Sequence, residues 1–117
     1  MRRVPIVLAL FAAACGGDSV SPKARAEADV IWADRCANCH GPKGMGDGPG
    51  ARALPVKPRV LADSTWQASV TDEHISTVIT EGGKVVGLDA NMAANPDLKA
   101  KPEVLRGLVL KVRSLKP

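Results

Sequence analysis

Cys36-Ala37-Asn38-Cys39-His40 places two thiols and an imidazole within five consecutive residues. Two thiols three residues apart on a helical turn can add to the two vinyl groups of one porphyrin edge. The residue after them then carries its imidazole beneath the iron. Cys-x-x-Cys-His is therefore the attachment signature of c-type haem, with covalent anchoring and proximal ligation supplied by one short run. Other chemistries use cysteines at this spacing. A thioredoxin-like redox pair needs a βαβ setting, and no strand pattern is present here. A structural zinc site needs four ligands, and Cys36, Cys39, His40 and His74 lack the second paired knuckle such sites use. A disulfide across two intervening residues is strained and closes too short a loop to stabilise much.

A six-coordinate haem needs a further ligand, and the candidates are Met45, Met92 and His74. Met45 is five residues beyond His40, and five extended residues span at most about 18 Å. That is hardly enough to pass round a porphyrin and return to its iron. Met92 lies far along the chain, in Asn91-Met92-Ala93-Ala94-Asn95-Pro96. A lone Met in a loop is by default packing material, but opposite a haem motif it becomes the candidate distal ligand. His74, beside Asp72 and Glu73, reads as a solvated surface histidine.

Three helices must position these residues. Ser21-Pro22 reads as a cap followed by proline in the first turn, after which Ala28, Ile31, Trp32 and Cys36 share a face. Asp72-Glu73 opens a second helix, in which Ile75, Val78 and Ile79 recur at helical spacing until Gly82-Gly83. Pro102-Glu103 opens a third, carrying Val104, Leu105, Leu108, Val109, Val112 and Leu115. No alternating runs suggest a sheet, so the class is all-α. Residues 41–71 and 82–101 read as long irregular loops. Loops of that length belong in a compact domain when they wrap something.

The composition agrees. The chain has 117 residues, no Tyr, one Phe and two Trp, few large side chains for a core of this size. It fits one domain. Its charge of +4, without basic blocks, excludes a nucleic-acid binder. Arg2 and Arg3 precede an apolar run from Val4 to Ala14, the form of a secretory signal and too short to span a bilayer. The expected organisation is a signal peptide at 1–14, a flexible tether at 15–24 and one domain at 25–117. Cys15 resembles the lipidated cysteine of bacterial lipoproteins, with Ala12 where those usually carry Leu. Lipidation would hold the domain at a membrane; ordinary cleavage before Cys15 would release it into the periplasm.

From about Ala26 to Leu115 the chain resembles small bacterial class I c-type cytochromes, the monohaem electron carriers. The resemblance rests on Cys36 to Gly41 continued by Gly44-Met45-Gly46-Asp47-Gly48-Pro49-Gly50, on residues 66–75 with Glu81-Gly82-Gly83, and on Leu108-Val109 with Val112-Arg113-Ser114-Leu115. It implies a small cytochrome c fold around one covalently attached haem c, with Met92 at the family's methionine position. It also implies that the carbonyl of Pro49 accepts the second ring N–H of His40. Where the family often has Gly on the first helix and an aromatic on the last, this chain has Ala28 and Lys111. Arg59 and Trp66 are candidates to bond a haem propionate, against a solvated arginine and a core tryptophan. Lys43, Lys57, Lys84 and Lys99 are candidates for a basic ring that steers an acidic partner. The expected function is one-electron transfer by a monomer between a redox donor and acceptor, without enzymatic turnover. The alternatives are a haem subunit tethered inside a larger oxidoreductase complex and a haem enzyme with an open distal site.

Overall fold

The computed structural model describes residues 19–117, and the expected signal peptide, Cys15 and the first residues of the expected tether lie outside them. Among the described residues the chain is helical and contains no strand. Helix α1 (Pro22–Ile31) starts where the sequence places it: the Ser21 hydroxyl accepts the Ala24 N–H at 3.2 Å, and Pro22 occupies the first turn. The expected tether therefore ends sooner than residue 24. Val20 is already buried against Gly107, and the Ser21 N–H donates to Glu103 at 2.6 Å.

The helix does not stop at Ile31. A π turn over Trp32–Cys36 carries it into α2 (Ala37–His40), so the chain stays helical from Pro22 through the cysteine motif. A π turn is wider than an α turn and shifts the register of the residues after it; such turns recur at functional sites. Ala28, Ile31 and Trp32 are buried as their spacing predicts, whereas Cys36 is only half-buried at the edge of the core.

The first long loop contains more structure than its sequence suggests. It holds a 3₁₀ turn at Pro49–Ala53 and a short helix α3 (Ser64–Ser69), capped by Asp63 accepting the N–H groups of Thr65 at 2.8 Å and Trp66 at 3.1 Å. Helix α4 (Asp72–Glu81) is capped by Thr71 and ended by Gly82 at φ 79°, a conformation that favours glycine. The second loop carries 3₁₀ turns at Lys84–Val86 and Pro96–Ala100 and leads into α5 (Pro102–Ser114).

The core is aliphatic around Trp32. Ala28 and Ile31 of α1, Ile75 and Ile79 of α4, and Val104, Leu108 and Val112 of α5 meet Leu61 and the fully buried Leu98. Helices α1 and α5 cross closely although neither the family's glycine nor its aromatic is present. The small residue has moved to the other helix: a Cβ on Gly107 would lie 2.9 Å from that of Ala28. Lys111, at the aromatic's position, pairs with Asp29 at 3.1 Å. Buried Gln67 donates to the carbonyls of Leu61 at 2.9 Å and Val112 at 2.8 Å, and Arg113 donates to Asp72, Gln67 and Val70. These bonds fasten α3 and the start of α4 to α5, leaving the cysteine motif between the two long loops.

Candidate haem site

Glycines let the chain fold back over the cysteine motif. The four carbonyls at a helix C-terminus lack helical partners, and α2 is too short to satisfy many. The next loop supplies donors: the Gly46 N–H reaches the His40 carbonyl at 2.8 Å, and the Gly48 N–H reaches that of Cys39 at 3.2 Å. Only glycine can come so near. A Cβ on Gly48 would lie 2.2 Å from the Asn38 oxygen and 2.5 Å from that of Ala37. The loop then turns at Pro49 and returns past His40 at residues 58–60.

That return supplies the partner of the histidine. His40 Nδ1 lies 3.1 Å from the backbone carbonyl of Arg59, which corrects the expectation that Pro49 would provide the acceptor. Pro49 is exposed and starts the 3₁₀ turn instead. A carbonyl can only accept, so Nδ1 carries the proton and the lone pair sits on Nε2. Burial lowers the imidazole pKa below its ordinary 6.5, opposed by the bond to Arg59. His40 is therefore held neutral, in one tautomer, as a metal ligand requires.

Cys36 and Cys39 are unpaired and half-buried. Burial pushes the Cys36 thiol up to about 11, against a smaller pull from Arg35. No three His, Cys, Asp or Glu side chains converge on a metal-sized point among the described residues, so the four candidate zinc ligands are not assembled.

Met92 is half-buried in a segment tied to the end of α4. The Gly83 N–H donates to the Met92 carbonyl at 2.9 Å, and a Cβ on Gly82 would lie 3.0 Å from that same oxygen. The glycine pair thus both ends α4 and admits the methionine loop. Met45 is 52 % exposed and His74 is half-buried in the first turn of α4.

Arg59 uses its carbonyl on His40 while the residue stays exposed, and Trp66 is half-buried at the core edge. Two of the candidate lysines are engaged elsewhere: Lys57 donates to the Ala51 carbonyl at 3.1 Å, and Lys99 pairs with Glu81 at 2.5 Å. Lys43 and Lys84 are exposed.

The surroundings fit a large apolar group. Met45, Val56, Val60, Val85 and Leu88 are exposed, and all five lie on the two long loops that flank the cysteine motif. Exposed apolar side chains on both loops are available to cover a large apolar group, and two free thiols with a neutral imidazole suit a porphyrin's edge and iron. The residues present fit a c-type haem.

The family model for cytochrome c matches residues 26–108, most of the chain. The chain belongs to the cytochrome c family, haem-based electron carriers that bind covalently attached haem c. No individual curated protein and no solved structure matches it.

Proposed function

We propose that the chain is a one-electron carrier whose haem is anchored by Cys36 and Cys39 and ligated by His40 and Met92. The observation that carries this reading is Met92 itself: it is half-buried in a loop fastened to α4, while Met45 stands exposed. The bound haem supplies the ferric–ferrous couple. The protein supplies position and bias. His40 offers Nε2 because the Arg59 carbonyl holds its other nitrogen. Met92 offers a soft, neutral thioether, which raises the potential relative to a second histidine. If His40 and Met92 both held the iron, no position on it would remain for a substrate, which would separate a carrier from a haem enzyme with an open distal side. Arg59 and Trp66 stand as the candidate propionate partners.

We further propose export under the signal at 1–14, with the domain held at a membrane through lipidated Cys15. Since Val20 is buried, the link from Cys15 to the domain is short, and a tethered carrier would exchange electrons only with close neighbours.

Maturation in a host that assembles c-type haem tests the central assignment. After denaturation and acid–acetone extraction the colour should stay with the polypeptide, whose mass should include one haem. The Cys36→Ala, Cys39→Ala double variant should lose both. Pigment that extracts from the native sequence would refute covalent attachment.

A further inference from the structure

We propose that Arg35, Asn95 and Asp97 form a clamp that holds the Met92 segment closed against the haem-bearing helix. They are positioning residues acting through Met92, and the proposal rests on ligation of the iron by that methionine. Arg35 sits in the π turn directly before Cys36. Its Nη1 lies 3.0 Å from both carboxylate oxygens of Asp97 and 3.3 Å from Asn95 Oδ1. These bonds join residues about sixty positions apart, linking the cysteine motif to the chain just beyond Met92. Asn95 completes the junction, because its backbone N–H and its Nδ2 both donate to the Ile79 carbonyl at 3.0 Å. Asn95 thus touches the π turn and the last turns of α4 while standing three residues after the ligand.

The loop has little else to hold it. Gly83 and Leu98 are buried, but none of residues 84–97 between them is. A segment without buried apolar side chains opens at low cost, so its closure depends on polar bonds. Two sets are present around the ligand. The Gly83 N–H holds the Met92 carbonyl from one side, and the Arg35–Asn95–Asp97 junction holds the chain from the other. Of these two sets only the second connects the loop to the helix that carries the proximal ligand, and the further tie between them, Lys101 to Glu27, lies nine residues past Met92. The Arg35 and Asp97 side chains are 43 % and 51 % exposed, which limits the effect to a few-fold change in opening.

Imidazole binding to the ferric, haem-loaded protein reads that opening. At saturating imidazole, the binding rate is limited by the departure of Met92. Arg35→Gln and Asp97→Asn should each raise the limiting rate about three- to five-fold, while the near-infrared band of Met-bound ferric haem persists. The double variant should be no faster than the faster single variant, and Arg35→Lys should recover most of the native rate. Limiting rates equal to the native value in both single variants overturn the clamp and leave Met92 ligation standing. A native protein that lacks the near-infrared band and binds imidazole with no limiting rate overturns Met92 ligation, and the clamp with it.

Discussion

At the scale of single residues, His40 is prepared for its role before any cofactor binds. Burial keeps the imidazole neutral, and the Arg59 carbonyl, accepting from Nδ1, leaves Nε2 free. The motif is legible in the sequence because the chemistry of Cys36, Cys39 and His40 lies in their side chains and spacing. The acceptor on Nδ1 is not, because every residue offers the same backbone carbonyl and only the path of the loop chooses Arg59 over Pro49. Met92 and Met45 differ in the same way: sequence supplies two thioethers, and only the folded chain half-buries Met92, beside the Gly83 N–H that holds its carbonyl, while Met45 stays exposed. Met92→Ala should therefore abolish the near-infrared band of the ferric protein and lower its potential, whereas Met45→Ala should spare both. Loss of the band in Met45→Ala alone would reverse the assignment.

At the scale of elements, α1, α4 and α5 are legible because each combines a start signal with several turns of apolar periodicity. Helix α3 escapes a periodicity reading because six residues give too short a pattern, although Asp63 before Ser64 and Thr65 is a usable cap signal. The π turn leaves no signature in side-chain type, so spacing alone puts Cys36 on the core face with Trp32. Loop length shows that something is wrapped, but the loop glycines act by close approach that composition does not reveal. Gly48 lies at φ −62°, where any residue is at ease, so Gly48→Ala isolates the contact with Asn38 and Ala37. It should cost about 1–3 kcal/mol in denaturant unfolding of the haem-loaded protein. The α1–α5 crossing gives a reciprocal test. Gly107→Ala gains roughly 1 kcal/mol of helix propensity but forces its new methyl onto Ala28, for a net loss of about 1 kcal/mol. Adding Ala28→Gly should restore near-native stability, because the pair then exchanges which helix is small. Strictly additive losses would show that the two positions do not meet.

At the scale of the whole molecule, a chain with few aromatics builds a modest aliphatic core and leaves five apolar side chains exposed on its loops, a shape completed by a large planar group. Polar contacts close its periphery: Glu103 accepts the Ser21 N–H, Lys101 pairs with Glu27, and Arg113 spans to Asp72. The Ser21 N–H lowers the Glu103 pKa below its ordinary 4.5. The folded chain then binds fewer protons here than the unfolded one, so this contact stabilises above the ordinary carboxylate pKa and is lost as pH falls through the lowered value. Glu103→Gln should accordingly flatten the decline of the urea midpoint between about pH 5 and about pH 3, compared with the native chain. Fractionation tests the tether: Cys15→Ser should move the haem-stained protein from the membrane pellet to the soluble fraction. The central claim is a haem ligated by Met92, and proton NMR of the reduced protein with labelled methionine methyl groups tests it most directly. A thioether bound to haem iron lies over the porphyrin face, where the ring current displaces its methyl resonance far upfield. One such displaced resonance, kept in Met45→Ala and absent from Met92→Ala, is the predicted result; methionine methyls all at ordinary positions would contradict the account.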